Sequence, residues 1–103
     1  MSDQISVLQN PSDEQLSQLG VSSWAIWEKE ASEYHWVYDE KEVCYLLQGK
    51  VQVTPDGGDP VSFGAGDLVT FEEGLSCTWK ILEPVRKHYV LGEAADKLPA
   101  ATG

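Results

Sequence analysis

The sequence has few cysteines, few basic residues and no long apolar run, and each of these shortages excludes some classes of protein or partner. The two cysteines among 103 residues form no Cys-x-x-Cys pair and indicate no disulfide framework, so free thiols in a reducing compartment are expected. No apolar run approaches the roughly 20 residues that span a membrane, and the polar N-terminus lacks a signal-peptide core. We therefore expect a cytoplasmic protein.

Basic residues are outnumbered, because 7 lysines and arginines stand against 17 aspartates and glutamates, for a formal net charge of −10. A surface of this sign repels phosphate backbones and anionic lipid headgroups, so we expect no nucleic-acid partner and no membrane partner. The same charge also keeps a small protein soluble. The sequence contains no phosphate-binding loop, Gly-x-Ser-x-Gly elbow or His-Glu-x-x-His pair, so the reactions that those motifs serve have no support.

What the sequence does contain is a series of short apolar segments separated by turn residues. Its length suits one domain with one hydrophobic core. Short strands separated by glycine and proline at intervals of about 8–12 residues are typical of a β-sandwich or a closed barrel. Residues 1–10 carry little pattern, and Pro84 is expected to end one strand before the last strand over residues 85–91, since proline cannot donate to a ladder. We predict an N-terminal extension over residues 1–20, a β-barrel over 21–92 and a disordered tail over 93–103.

The N-terminal extension contains the signals of one short helix. Ser12 and Gln15 have the spacing of a capping box, and Gly20 is a suitable stop. Leu16 and Leu19 would dock this helix on the barrel. We expect the helix to be an external plug or a dimer contact.

The strongest pattern lies over residues 34–49. Trp36 and Tyr38 alternate with their neighbours at the period of a two-faced strand. The segment after Glu42 is apolar on both faces, as in a strand that is buried on both sides. Gly49 ends that segment, where a turn would require positive φ.

Two spacings resemble the two sequence motifs of the cupins. The spacing Glu42-x6-Gly49 resembles the second half of the first cupin motif, in which this glutamate and two upstream histidines hold a metal inside a small β-barrel. The second motif has a glycine, a Pro-x-Gly turn and a third histidine. Here the sequence has Gly66-Asp67, then Glu72-Glu73-Gly74, then Cys77.

The resemblance covers residues 21–91 and is closest to the small single-domain branch that includes the cupin domain of ureidoglycine aminohydrolase. The segments that carry it are WEKE at 27–30, CYLLQGKVQV at 44–53, GDLVTFEEGLSCTWK at 66–80 and LEPVRKHY at 82–89. It implies an all-β, single-domain cupin, a jelly-roll barrel with a short N-terminal helix. Because small cupins commonly pair through sheet edges, it also implies a homodimer.

The family's histidine pair is missing from this sequence. Trp36 and Tyr38 stand at those positions, or His35 and Val37 if the gap is one residue longer. His35 alternates with the aromatic residues, so we expect it to face away from them as a surface histidine.

A metal site therefore needs other ligands. Glu42 and Cys77, with His88 or His35, could supply three ligands, and a thiolate with imidazole suits zinc or another divalent transition metal. The alternative, which we favour, is a metal-free barrel in which Cys77 is a buried thiol.

Strand parity predicts a ligand pocket. Trp36, Tyr38 and Glu42 share one face, while Cys77 and Trp79 share the face that the cupin frame places opposite. The interior would then be aromatic walls around a few polar groups, which is typical of small-molecule sites. Glu42 beneath two aromatic rings would lose hydration, which favours its protonated form and suits a general acid or base. Alternatively, Glu42 is ion-paired at the barrel rim.

The cluster over residues 86–89 is the one basic stretch in this acidic sequence. On a strand, Arg86 and His88 share one face while Lys87 and Tyr89 share the other, and we expect one of these pairs to face inward. A cation inside would anchor a carboxylate or a similar anion by charge-assisted hydrogen bonds. The alternative is a surface patch that offsets acidic neighbours.

The leading hypothesis is a small-molecule-binding cupin that acts on a small polar or anionic metabolite, with Glu42 as acid or base and Arg86 or Lys87 as anchor. One alternative is a non-catalytic cupin that binds or senses a ligand. Another is a structural dimer module, which would have an occluded interior.

Overall fold

The structure is a computed structural model that describes residues 4–98. It is built mainly of β-strands, with two short helices and one 3₁₀ turn. In chain order the elements are β1 (Ile5–Gln9), α1 (Asp13–Leu19), the 3₁₀ turn (Val21–Ser23), β2 (Ala25–Lys29), β3 (Ser32–Val37), β4 (Glu42–Pro55), β5 (Val61–Gly64), β6 (Asp67–Phe71), β7 (Ser76–Leu91) and α2 (Gly92–Asp96).

Two long antiparallel strands, β4 and β7, form the centre of the sheet. The order is β1-β6-β4-β7-β2, with β3 added to β7 and β5 added to β4. The register between the two long strands shifts between Leu46 and Val51 of β4. Gly49 lies inside this bulge with φ 112°, and a Cβ there would stand 2.7 Å from the carbonyl oxygen of Pro84. Only glycine therefore fits at this position of the bulge.

The bulge lets the sheet fold over so that two layers face each other. Phe71 of β6 and Trp79 of β7 lie on different layers, yet their ring centroids are only 5.6 Å apart. Leu46 and Val53, from the two halves of β4, are both fully buried in the same core cluster. The result is the predicted all-β jelly roll, a curled sheet that is not closed into a complete barrel.

A second apolar cluster, here called the outer cluster, covers the outside of one layer. Val43 and Leu68 of the sheet pack there against three residues from outside it: Leu19 of α1, Trp24 after the 3₁₀ turn, and Ala95 of α2. The N-terminal helix is therefore an external element, as predicted from its leucines.

The signals that mark the helix are confirmed in detail. The Ser12 hydroxyl accepts a hydrogen bond from the Gln15 backbone N–H, and the Gln15 side chain accepts one from the Ser12 backbone N–H. Gly20 ends the helix in the left-handed conformation, with φ 73°. Among residues 4–98, no helix is long and apolar enough to cross a membrane.

Three sequence expectations about the strands and the tail are corrected. Residues 5–9 showed little pattern, but they form β1 and pair with β6. Gly49 and Pro84 were expected to separate strands, whereas each lies inside one continuous strand. The tail, predicted to be disordered from residue 93, begins as α2 with Ala95 buried, and the rest of that prediction, over 99–103, lies outside the described residues.

Candidate functional site

An open cavity of about 500 Å³ lies between the two layers, near the end of β7. This volume falls within the range of small-molecule sites, which is roughly 300–1,000 Å³. Its lining is mostly aromatic, with charged side chains at the base and at the edge. The lining residues are Trp27, Lys29, Tyr34, Trp36, Val37, Tyr38, Asp39, Glu40, Glu42, Trp79, Lys87, Tyr89 and Leu91.

A buried ion pair forms the base of the cavity. Lys87 Nζ donates a hydrogen bond to Glu42 Oε2 at 2.6 Å, and the two side chains are only 6% and 10% exposed. Glu42 begins the central strand β4, where it pairs with Phe71 of β6 and Leu91 of β7. Neighbouring strands therefore hold the Glu42 backbone on both sides, and the hydrogen bond from Lys87 holds its carboxylate.

Two tryptophans enclose the ammonium group of Lys87. The Nζ atom lies 4.7 Å from the ring centroid of Trp27 and 4.7 Å from that of Trp79. The register explains this contact, because Trp27 of β2 pairs directly with Lys87 of β7. Cation–π attraction to both rings adds to the ion pair, and it is stronger in a desolvated site than in water.

The protonation of Lys87 reflects opposing effects. Burial by itself lowers the pKa of Lys87, while the neighbouring Cys44 and Glu42 raise it, and the net shift is upward. The lysine therefore remains an ammonium ion at neutral pH. Glu42 lies beside a permanent positive charge.

Tyr38 fixes the position of Trp79. The indole Nε1 of Trp79 donates a hydrogen bond to the Tyr38 hydroxyl at 3.0 Å, inside the core. The backbone of Tyr38 is held as well, since its N–H donates to Leu75 and its carbonyl accepts from Gly74. Tyr34 also stacks on Trp79, with ring centroids 6.3 Å apart. Burial, followed by the Glu42 charge, raises the pKa of Tyr34 to about 12, so it remains a neutral hydroxyl.

Five of the residues that the sequence pointed to meet in this cavity. They are Trp36, Tyr38, Glu42, Trp79 and Lys87. Glu42 combines one feature of each alternative. Its carboxylate is ion-paired, and it is also buried in a cavity with aromatic walls.

Three other predicted pocket residues lie outside the cavity lining. Arg86 faces away, where its Nε lies 3.5 Å from the Glu28 carboxylate. His88 is on the same outer side, with Nδ1 3.0 Å from the carbonyl oxygen of Trp24. Cys77 is fully buried in the core, and its thiol donates to the Trp36 carbonyl at 3.6 Å. The pair of β7 residues that faces inward is therefore Lys87 and Tyr89.

These positions do not fit the metal that cupin motifs hold. The His35 side chain is half exposed, with its Nε2 3.1 Å from an oxygen of Asp56, whereas the Glu42 side chain is buried and pairs with Lys87. The Cys77 thiol is fully buried in the core and donates to the Trp36 carbonyl, and Cys77 is not among the residues that line the cavity with Glu42. In the described part of the chain, no three histidine, cysteine, aspartate or glutamate side chains are grouped to hold an ion.

Both cysteines are free and buried, as the sequence indicated. Burial raises the pKa of Cys44 to about 12 and that of Cys77 to about 11, so both thiols are protonated at neutral pH.

Several cavity residues were missed from the sequence. Tyr34 shares the parity of Trp36 in β3 and of Tyr38 just after it, so the alternation in the sequence was a signal for Tyr34 as well. The inward positions of β7 keep one parity from Trp79 to Lys87, so the pattern extends across Pro84. Because Pro84 was expected to end a strand, Trp79 and Lys87 were not recognised as residues on one face of the same strand.

Similarity to known proteins identifies the family of this chain. Residues 16–89 match the EutQ-like cupin domain. The chain belongs to the EutQ-like cupin family, and it is a small single-domain cupin. The finer resemblance to the ureidoglycine aminohydrolase branch stays a prediction.

Solved structures show the same fold. A DUF861 family protein from Thermotoga maritima is 53% identical, with a TM-score of 0.81, over 84% of this chain and 98% of that chain. The EutQ protein of Clostridium difficile is 23% identical, with a TM-score of 0.60, over 67% of this chain and 54% of that chain. A putative ethanolamine utilization protein Q from Salmonella typhimurium is 24% identical, with a TM-score of 0.60, over 87% of this chain and 68% of that chain. No protein with a curated description matches the sequence.

Proposed function

We propose that this protein is a small-molecule-binding cupin whose ligand enters the aromatic cavity and contacts the Glu42–Lys87 pair. The observation that supports this most directly is a buried ion pair at the base of an open cavity of about 500 Å³. A structural module would gain stability from an apolar interior, since replacing a buried ion pair by apolar residues is often neutral or stabilising. An open cavity with charged groups at its base supports binding over a purely structural role.

A second candidate is an enzyme in which Glu42 acts as acid or base and Lys87 anchors the substrate. It is favoured by the 2.6 Å contact that holds the carboxylate beside the cavity with its geometry fixed. Turnover would require Glu42 to exchange a proton with the bound molecule. Binding alone would require only that both charged groups offer hydrogen bonds.

Tryptophan fluorescence gives a direct test of binding. Trp27, Trp36 and Trp79 line the cavity, whereas Trp24 lies in the outer cluster, so cavity ligands should change most of the indole emission. We expect hits from a library of small polar metabolites to bind the wild type. Substitution of the pair, Glu42→Gln with Lys87→Met, should weaken them.

The matched control removes an exposed pair on the outer side, by Glu28→Gln with Arg86→Met, and it should leave binding unchanged. Identical affinities in both double variants would contradict a site at Glu42 and Lys87. For the enzymatic candidate, Glu42→Gln alone should abolish turnover of a bound hit while binding persists. Unchanged turnover in that variant would rule out Glu42 as the acid or base.

A homodimer is a further proposal, and it rests on the family resemblance. Sedimentation of the full chain would measure it, and a monomer at all concentrations would refute it.

A further inference from the structure

The charges at the base of the cavity cancel. Lys87 and Glu42 form a pair at 2.6 Å, so together they present no net charge to the cavity. The other charged side chains that face the cavity, Lys29, Asp39 and Glu40, are exposed at its edge. Lys29 lies over the Tyr34 ring, with Nζ 5.2 Å from the centroid. Water screens these outer charges far more than it screens the buried pair.

This balance is unfavourable to a charged ligand of either sign. An anion that reached Lys87 would also meet the Glu42 carboxylate, and a cation that reached Glu42 would meet the Lys87 ammonium. In either case the ligand would lose its hydration and leave one net charge in a largely aromatic site, which is costly. A lysine without a partner would have selected an anion, but Glu42 already provides that partner.

The pair can still satisfy a neutral group that has both a donor and an acceptor. An ammonium has three N–H donors, of which one is directed to Glu42, and a carboxylate accepts at two oxygens. A carboxamide presents an acceptor oxygen and a donor nitrogen on one carbon, and a hydroxyl presents both functions on a single oxygen. Such a group could accept from Lys87 and donate to Glu42 without adding charge.

The walls and the mouth of the cavity favour an apolar body on the same molecule. Trp36, Val37 and Leu91 line the cavity and remain 50%, 48% and 41% exposed. Large apolar groups left in water at the edge of an aromatic cavity lose that exposure when a ligand covers them.

We propose that the cavity selects an uncharged ligand with an apolar or aromatic body and one carboxamide or hydroxyl group that contacts both Lys87 and Glu42. This inference rests on the proposed function, because it specifies the ligand class of the same site. It replaces the anionic ligand that the basic stretch alone predicted.

The test uses four probes that share one ring and differ in charge: benzamide, benzyl alcohol, benzoate and benzylammonium. Their affinities for the full chain are measured at neutral pH by tryptophan fluorescence and by ligand-observed NMR. We expect benzamide and benzyl alcohol to bind, and both ions to bind at least about tenfold more weakly. The double variant Glu42→Gln/Lys87→Met should weaken the neutral probes, while Glu28→Gln/Arg86→Met should not.

Each other outcome counts against the inference in a distinct way. If benzoate or benzylammonium binds as tightly as benzamide, the inference fails and the proposed binding function stands. If none of the four probes binds, both the inference and the proposed cavity function fail for this ring class. If the neutral probes bind equally well to both double variants, the contact with the ion pair is refuted.

Discussion

Two polar contacts connect β7 to neighbouring segments near its opposite ends, and they differ mainly in their exposure to water. Near the end of β7, Lys87 bonds Glu42 with both side chains at most 10% exposed. At its start, Ser76 forms a cluster with His35 and Asp56, in which the His35 and Asp56 side chains are 52% and 56% exposed. Both contacts bring together residues that are distant in sequence.

The difference shows how burial determines the contribution of a polar or charged contact to stability. The exposed cluster competes with water, so its net effect on stability is small and depends on salt. The buried pair has lost its hydration, and therefore each partner depends on the other. Lys87 and Glu42 at the cavity therefore each need the other as a partner, whereas water can solvate the exposed side chains of the surface cluster.

Breaking the buried pair should have the largest effect. Lys87→Met leaves the Glu42 carboxylate buried without a counter-charge, and we expect it to lower the free energy of unfolding by about 3–5 kcal/mol. Urea denaturation at neutral pH would measure this. The matched control is Lys50→Met, which breaks an exposed pair with Glu83 and should cost at most about 1 kcal/mol.

The comparison would be sharpened by removing both partners. Glu42→Gln/Lys87→Met should recover part of the stability lost in Lys87→Met, because no uncompensated charge remains. Equal losses in Lys87→Met and Lys50→Met would show that the cavity is wet enough to solvate a free carboxylate.

Alkaline pH should produce the next largest effect. The pKa values of Lys87, Tyr34 and Cys77 are all raised in the folded protein, so the folded state retains protons that the unfolded state releases. The stability from these groups is present below their unfolded pKa values and is lost as pH rises. Urea midpoints should therefore fall between pH 9 and pH 11. The pKa values of Cys44 and Cys77 rise from 9.0 to about 12 and about 11 on folding, and Tyr34, with an ordinary pKa of 10.0, adds to the loss above that pH. A midpoint that stays constant over this interval would contradict the burial of these groups.

Tyr38→Phe tests a neutral contact in the same cavity. The substitution removes the acceptor of the Trp79 N–H and leaves that donor buried without a partner, so we expect a loss of about 1–3 kcal/mol. Tyr45→Phe is the control, because this half-buried tyrosine of the outer cluster has no hydroxyl hydrogen bond within residues 4–98. Similar losses from both substitutions would mean that the Tyr38 hydroxyl is replaceable by water.

The exposed cluster should show the smallest effect. Hydrogen bonds from Ser76 and His35 lower the pKa of Asp56 below its ordinary 3.8, so any stability that it contributes is present above that pH and is lost as pH falls below it. Asp56→Asn should leave the urea midpoint at neutral pH unchanged within error, and added salt should reduce any small difference further. A loss comparable with that of Lys87→Met would overturn the distinction between the two contacts.

The sequence could predict the fold class because strand alternation, turn residues and motif spacing are local signals. The helix was predicted to the residue, since the capping box of Ser12 and Gln15 and the left-handed Gly20 depend on neighbours along the chain. The strand over 5–9 was missed because so short an edge strand is identified by its partner β6 rather than by its own pattern.

The site was predictable in its aromatic and acidic members and less so in its pairings. Parity grouped Trp36, Tyr38 and Glu42, which do line one cavity. Whether Arg86 or Lys87 faced inward depended on the geometry of β7 across Pro84, which local rules represent as a break. The contact of Lys87 with Trp27 depends on strand register, and register is a tertiary property.

The pairing of β4 with β7 also has a consequence for how quickly the chain folds. Glu42 pairs with Leu91 and Pro55 with Cys77, so the central ladder joins residues that are far apart in sequence, with the β5 and β6 segments looped out between them. Contacts of this kind require a large loss of chain entropy before they return any stabilisation. Folding on the scale of milliseconds to seconds, typical of domains dominated by non-local strand pairing, is therefore expected. The ion pair of the cavity, which joins the same two strands, can form only once that slow step is complete.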